Sequence, residues 1–295
     1  MFDPLQYEFF VRGLIVATLV GALCGLIGVY IVLRRMAYIG HGLSHAVFGG
    51  AVVSYVIDLN FFIGASVWGF LSAMLINLTT RKRSIGADAA IGIITTASFA
   101  LGIALISRTK TATRSFDAAL FGNILGVEQS DMYAIAAVTL ATFATVIIGY
   151  KYLLFTTFEP DVAGFYGVPT GWIDALFALI LAATIVVSIQ VLGVTMIASA
   201  IVIPPVVARL LTNDFGKMMG LSVVIGAFCG LGGIYLSYFV NAASGATVVL
   251  FSAALFVVAL AYNTARDRIA VMRGKARLHA GSVIAADDSH IGSYF

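Results

Sequence analysis

Two histidines, His41 and His45, lie four residues apart in a glycine-rich apolar stretch of the sequence. Residues at this spacing share one face of a helix, so the two imidazoles would stand side by side. Helical His pairs chelate divalent ions in zinc sites. The spacing therefore favours a transient metal contact. Hydration of His41 near Arg35, or a hydrogen bond from His45 across a helix bundle, would also account for the pair.

The residues around the pair are small, namely Gly40, Gly42, Ser44, Gly49 and Gly50. Small residues let membrane helices approach closely, and they also leave room for an ion path. Ionisable side chains inside a membrane span are costly and by default face a cavity or the bundle interior. The setting therefore strengthens the metal interpretation beyond what the spacing alone supports.

The composition around this motif excludes a soluble domain. Hydrophobic residues make up 61% of the 295 residues and charged residues only 11%, whereas soluble domains carry about 25% charged residues. The apolar runs are continuous and do not alternate with polar residues, which favours helices over membrane strands. The sequence thus predicts an all-α, polytopic membrane bundle. The net charge of +3 is too small to indicate a nucleic-acid partner.

Nine segments approach the roughly 20 apolar residues that a helix needs to cross the hydrocarbon. They are Phe9–Leu33, Tyr38–Ile57, Phe61–Thr79, Ala89–Ile106, Met132–Leu154, Trp172–Val191, Gly193–Leu211, Met218–Val240 and Ser244–Tyr262. The sixth and seventh meet at Leu192 and Gly193 and could form one broken helix. Eight spans are therefore the alternative.

The distribution of Lys and Arg predicts the orientation. With nine spans and an external N-terminus, thirteen of these residues fall inside and four outside, as the positive-inside rule requires. Eight spans would move Arg34 and Arg35 outside. Residues 1–265 are accordingly predicted to form one membrane domain, and residues 266–295 a basic, disordered cytoplasmic tail that contains His279 and His290.

Two connecting segments are longer than the others. The external one includes the apolar run Phe116–Leu125, which is predicted to form a short helix at or dipping into the outer surface. The internal one, residues 155–171, carries a helix start, since proline suits the first turn and carboxylates favour the positive end of the helix dipole. The residues of this predicted cytoplasmic helix are Glu159, Pro160 and Asp161 at its start and Gly164 or Gly167, with Pro169, at its end.

Other polar or kinked positions lie late in the chain. Pro204 and Pro205 are predicted to bend or break their helix and to free carbonyl groups, and broken helices often line a substrate cavity. Gln190 lies deep in its span and would face either the pathway or another helix. Asp174 opens a span and is interpreted as an N-terminal cap.

Several motifs are absent from the sequence. It contains no G-x-x-x-x-G-K-[ST] phosphate loop, so ATP is not expected to bind through that device, and it contains no HExxH protease motif. A transporter without an ATPase remains an alternative function. An intramembrane metalloenzyme is a weaker one, because it would need a third metal ligand that the sequence does not reveal.

The segment Gly40–Gly50 resembles the second-helix signature of the metal-ion permeases of ABC importers, the zinc/manganese/iron (ABC-3) family. Further segments are similar to motifs of the same family in the same order. They are Phe121–Leu125, Phe158–Ala163 with Gly167–Pro169, Gln190–Val194, Ile201–Pro204 and Ala208–Leu210. The resemblance covers roughly residues 10–262.

This resemblance implies a type II ABC importer-like permease in a bacterial plasma membrane. It implies a homodimer, a cytoplasmic ATP-binding subunit that hydrolyses ATP, and an extracytoplasmic metal-binding protein that delivers the ion. Residues 155–171 would then be the coupling segment that docks on the ATPase. No catalytic residue and no permanently bound cofactor are expected on this chain.

The family usually has Asp and then His at the two positions that are His41 and His45 here. His45 therefore matches the family, and His41 replaces a carboxylate. Imidazole suits zinc, iron and copper better than manganese, which tolerates carboxylates. The local Ser-His-Ala string is nevertheless similar to manganese-type members, so manganese is favoured, with zinc or iron next.

Overall fold

The computed structural model describes residues 3–57, 59–81, 86–109, 120–122 and 124–291. All regular structure in these ranges is helical, which confirms the all-α prediction. Large apolar side chains on the outside of the bundle are exposed, such as Leu140 and Ile148 of the fifth helix. Lipid is the solvent that accepts such a surface.

Eleven α-helices lie in the described residues. They are α1 Glu8–Leu33, α2 Ala37–Val56, α3 Phe61–Arg81, α4 Ala87–Thr109, α5 Gln129–Ile148, α6 Tyr150–Phe158, α7 Pro160–Phe165, α8 Thr170–Leu192, α9 Ile197–Leu211, α10 Phe215–Val240 and α11 Ser244–Ile291. Short 3-10 turns occur at Asp3–Gln6 and Ile124–Gly126.

Each of the nine predicted spans corresponds to helix, but only seven described helices are long and apolar enough to cross a membrane by length and composition. The two that differ are α2, whose 20 residues include both histidines and four glycines, and α9, which has 15 residues. The predicted span Met132–Leu154 is divided at Gly149 between α5 and α6. The chain is therefore a multi-pass bundle that also contains α2 and the short apolar helix α9.

The sixth and seventh predicted spans are separate helices. Gly193 ends α8 with φ +74°, a left-handed conformation that favours glycine, and α9 begins only at Ile197. Of the predicted bend or break at the two prolines, the break does not occur, because α9 continues through Pro204 and Pro205. Proline removes hydrogen bonds to the carbonyls four residues earlier, but close packing of the Ile201 carbonyl against Gly28 of α1 holds the helix in place.

The first helix lies at the centre of the bundle and packs most extensively against α10. The two backbones approach so closely that a Cβ added to Gly226 would collide with the Gly21 carbonyl, and one added to Gly25 would collide with the Ser222 carbonyl. Ser222 Oγ also donates a 2.6 Å hydrogen bond to the Gly25 carbonyl. Small residues thus permit the close helix crossing that membrane proteins use in place of a hydrophobic driving force.

The histidine-bearing helix α2 is wedged between α3 and α4. Gly49 faces the backbone of Ser98 in α4, and Gly50 faces the side chain of Trp68 in α3, each with no room for a Cβ. The glycines that surround the His pair in the sequence therefore serve helix approach, as predicted.

The last helix continues past the membrane domain. α11 runs to Ile291, so its backbone is helical over most of residues 266–295, where the sequence predicts a tail without regular structure. No proline interrupts this stretch, and each residue added to an existing helix contributes one further backbone hydrogen bond.

Candidate functional site

The two imidazoles stand side by side on α2. Their ring centroids are 4.6 Å apart and the ring planes lie at 85° to each other. The ring of His45 also packs edge-on against Phe99 of α4, at 4.7 Å between centroids. The two histidines thus share one helix face, as their spacing predicts, and Phe99 packs against one side of the pair. No sequence motif points to Phe99, which lies in an ordinary apolar run.

One polar atom of the pair lacks a protein partner. The Nδ1 atom of His45 is buried and has no hydrogen-bond partner among the described residues. Burying such a group without compensation is costly, and buried polar atoms in native proteins nearly always find a partner. An imidazole nitrogen that is shielded from water and has no partner among the residues the structure describes suits a ligand that arrives from outside.

The pair is not a closed metal site. Within the described part of the chain, no three His, Cys, Asp or Glu side chains converge in a way that could hold a metal ion. Structural metal sites use about four protein ligands. Two imidazoles alone would bind weakly, which suits an ion that must enter and leave.

A serine between the two histidines anchors α2. Ser44 Oγ lies 2.8 Å from the carbonyl of His41 and 3.1 Å from the carbonyl of Val194, so its single proton can be donated to either. Val194 belongs to the interruption between α8 and α9, and Ala198 and Ile201 of α9 face Gly40. The His-bearing helix is therefore held against a backbone break, a contact that nothing in the local sequence indicated.

Three glycines from distant parts of the chain form a glycine junction at that break: Gly122, Gly193 and Gly245. Gly122 and Gly193 have φ of +80° and +74°. A Cβ on any of the three would meet backbone atoms of the other segments. Thr195 Oγ1 donates a 2.9 Å hydrogen bond to the Leu120 carbonyl and strengthens the junction. Half of the predicted helix Phe116–Leu125 lies outside the described residues; in the other half, Leu120 and Phe121 are helical and Ile124 and Leu125 belong to a 3-10 turn.

Replacing Gly193 by alanine is expected to destabilise the protein. A residue with a Cβ at this φ is strained by about 1–3 kcal/mol, and the new methyl group would also collide with the Leu120 carbonyl. The thermal midpoint of the purified protein in detergent should fall clearly. The matched control is Gly92→Ala, since a Cβ on Gly92 in α4 would meet nothing within 4 Å. Equal midpoints for the two variants would contradict the role given to the junction.

The predicted cytoplasmic helix begins where the sequence places its start. Pro160 is the first residue of α7, Asp161 lies in its first turn, and Glu159 immediately precedes it. Gly167 follows with φ +78°, and Gly164 has open space around it. Three aromatic side chains on and beside this helix are strongly exposed: Phe165 at 89%, Tyr166 at 73% and Trp172 at 80%. Exposed aromatic residues clustered in this way are typical of a protein-binding surface.

Arg34, which in the sequence is only an orientation signal, lies at the centre of a polar cluster. Its Nη1 lies 3.0 Å from Oδ1 of Asp174. Its Nε and Nη2 donate 3.1 Å hydrogen bonds to Thr157 and Thr156 of α6. The interpretation of Asp174 as an N-terminal cap is wrong, because α8 begins four residues earlier, at Thr170, and the carboxylate is paired with Arg34.

The remaining predicted residues lie apart from the His pair or next to the break. Gln190 is partly exposed and stands three residues before Gly193. Pro204 and Pro205 are buried within α9, where Pro205 Cγ would lie 2.9 Å from a Cβ on Gly28. The His-bearing helix thus contacts the break between α8 and α9 through Ser44 and Val194.

Comparison with known proteins places this arrangement in a family. The sequence profile described as the ABC 3 transport family matches residues 6–263. The manganese transport system membrane protein MntC of Halalkalibacterium halodurans is 36% identical over 89% of this chain and 90% of its own. A Haemophilus influenzae membrane protein that carries an iron transport name is 31% identical over 91% of this chain and 98% of its own.

A solved structure has the same fold. The chain matches PsaBC of Streptococcus pneumoniae, solved in complex with Fab, with a TM-score of 0.79 and 35% identity over 87% of this chain and 93% of that one. The bundle of long apolar helices is that of a multi-pass protein of the bacterial plasma membrane. The chain therefore belongs to the ABC 3 transport family, as a membrane permease subunit whose ATP hydrolysis is carried out by a separate subunit.

Proposed function

We propose that this permease carries a divalent transition metal into the cell and that the His41–His45 pair touches the ion on its way. The observation that carries the proposal is the buried Nδ1 atom of His45, unbonded within the described chain and 4.6 Å, ring to ring, from a second imidazole. A doubly charged ion crossing a low-dielectric region needs such neutral ligands in place of its water.

Manganese is the favoured ion. The names of relatives such as the H. halodurans protein support manganese, and the relative with an iron transport name keeps iron close behind. At position 41 an imidazole replaces the family's usual carboxylate. This site should therefore accept zinc or iron more readily than a manganese site with a carboxylate does. We therefore expect manganese to be carried, with measurable competition from zinc and iron.

Assembly with other chains would complete the pathway. Two His ligands in one chain leave the ion's other coordination positions open, and a second permease copy or water would fill them. The exposed aromatic residues around α7 would form the contact with a cytoplasmic ATP-binding subunit. An extracytoplasmic metal-binding protein would load the opposite side, with the N-terminus outside and the C-terminus in the cytoplasm, as the positive-inside count favours.

Reconstituted transport tests the proposal. The permease and its ATP-binding subunit are placed in proteoliposomes together with the metal-binding protein, and uptake of radioactive manganese is measured with and without ATP. ATP-dependent uptake that zinc and iron reduce is the expected result. Manganese movement that is driven by a proton gradient without the ATP-binding subunit, or no manganese movement at all, would contradict it.

Changing His41 to aspartate should alter the choice of metal and keep transport. A carboxylate restores an anionic oxygen ligand, which favours manganese over zinc. We expect the manganese-to-zinc uptake ratio to rise about tenfold, the lower end of the effect that a changed ligand environment produces. The control is His41→Asn, which is polar but neutral and should weaken uptake without favouring manganese. An unchanged ratio in His41→Asp would show that position 41 does not contact the ion.

A further inference from the structure

Arg34, at the C-terminal end of α1, has a hydrogen-bond partner at each of its three side-chain nitrogens. Nε and Nη2 donate to the hydroxyls of Thr157 and Thr156, and Nη1 donates to Asp174. The guanidinium carbon also lies 4.6 Å from the ring centre of Phe177. The side chain is only 11% exposed. Such a planar fork of donors is specific to arginine, and a lysine could not reproduce it.

These bonds join three helices at one point. Arg34 follows α1, both threonines belong to α6, and Asp174 belongs to α8. Thr157 stands only three residues before Pro160, the first residue of α7. The short helix α7, with its exposed aromatic residues, is therefore attached to the bundle through Thr156 and Thr157, to which Arg34 is hydrogen-bonded.

An aromatic layer lies beside this cluster and fixes the end of α6. Phe158, the last residue of α6, packs against Phe215 at the start of α10, at 6.1 Å between ring centres. Phe215 packs against the fully buried Tyr30 of α1 at 5.7 Å, and Tyr30 packs against Phe177 at 6.1 Å. The base of α7 thus rests on a surface that is continuous with the end of α1.

The same arginine adjoins the start of the His-bearing helix. Only Arg35 and Met36 separate Arg34 from α2, and Arg35 has φ +57°, a left-handed conformation that is costly for a residue with a side chain. His41 follows seven residues after Arg34. A cavity of about 240 Å³ borders the cluster, lined by Arg34, Asp174, Asn77 and Ile39 among others. Arg35 and Met36 therefore form a short, strained linker between Arg34 and α2, and this linker lies beside the cavity.

We propose that Arg34 is a positioning residue that links α7 to the His pair. A displacement of α7 by the ATP-binding subunit would pull on Thr156 and Thr157, move Arg34, and shift the start of α2 and with it His41 and His45. The inference rests on the proposed function, in which α7 receives the motion of the ATPase. It adds the residue through which that motion reaches the metal contact.

The test measures ATP hydrolysis and manganese uptake together in proteoliposomes that contain the complete transporter. We expect Arg34→Gln to hydrolyse ATP within about twofold of the unmodified protein but to move about tenfold less manganese per ATP. Arg34→Lys, which keeps the charge toward Asp174 but loses the fork, should fall between the two. Lys151→Gln is the control, because it removes a positive charge from an exposed position on α6 and should leave the ratio unchanged.

The outcomes separate the two hypotheses. An unmodified transporter that shows no ATP-dependent uptake would refute the proposed function itself. A normal ratio of manganese to ATP in Arg34→Gln, with uptake intact in the unmodified protein, would overturn only the inference about Arg34. A parallel loss of assembly, hydrolysis and uptake in both Arg34 variants would show a purely structural role and would overturn it as well.

Discussion

Manganese uptake should be lost when His45 is replaced by alanine, while the transporter still assembles. The substitution removes the imidazole whose Nδ1 is buried without a partner in the described chain. Removing an outer-shell partner of a metal ligand typically costs 10–100-fold, so removing the ligand itself should reduce uptake by at least about 100-fold. The loss should appear as a lower rate at every manganese concentration.

Uptake by the complete complex in proteoliposomes is the measurement, with copurification of the ATP-binding subunit as the check on assembly. His290→Ala is the control, because it removes an imidazole from the C-terminal extension, far along the chain from α2. His45→Gln distinguishes the loss of a side chain from the loss of a metal ligand. It keeps a polar side chain but no imidazole, and it should also be inactive. Normal uptake by His45→Ala would refute the role of the pair.

The crossing of α1 and α10 gives the largest expected effect on stability. Alanine at Gly226 would place a methyl group against the Gly21 carbonyl, an obstacle that is backbone and cannot rotate away. Overpacking costs about 1–3 kcal/mol and sometimes more, and a backbone obstacle places this case near 3 kcal/mol. Chains of 150–250 residues would lose about 6–12 °C in Tm, and this chain of 295 residues should lose somewhat less.

Gly220→Ala provides a matched control on the same helix, because a Cβ there would meet nothing within 4 Å. Alanine also has the higher helix propensity, so this control should be neutral or slightly stabilising. Thermal unfolding of the purified permease in detergent compares the two. Equal Tm values would mean that α1 and α10 separate without cost and would contradict the close crossing described here.

Local spacing made the His pair predictable, whereas long-range contacts did not follow from the sequence. Four residues on one helix fix the relative positions of His41 and His45 wherever that helix lies. Arg34 and Asp174 are 140 residues apart, so only the folded bundle shows that the carboxylate is an ion-pair partner. The same reasoning applies to Ser44, whose acceptor Val194 lies 150 residues away.

The prolines and the glycines of the late helices show a second limit. Pro204 and Pro205 weaken a helix in isolation, but packing against α1 determines whether the helix survives, and that packing depends on Gly28. The sequence places Gly193 where two spans meet or one broken helix is interrupted. Its left-handed backbone becomes necessary only because two other segments converge on it. Residue propensity therefore predicts where a helix can be interrupted, and tertiary contacts determine where the interruption occurs.

The pairing of α1 with α10 has a consequence for biosynthesis. The first helix leaves the ribosome about 180 residues before its main partner begins at Phe215, which corresponds to about 10–40 s at ordinary translation rates. During this interval the face of α1 that carries Gly21 and Gly25 lacks its main packing partner. Nascent chains arrested before Phe215 should therefore be recognised by quality-control proteases, whereas chains extended through Val240 should resist them.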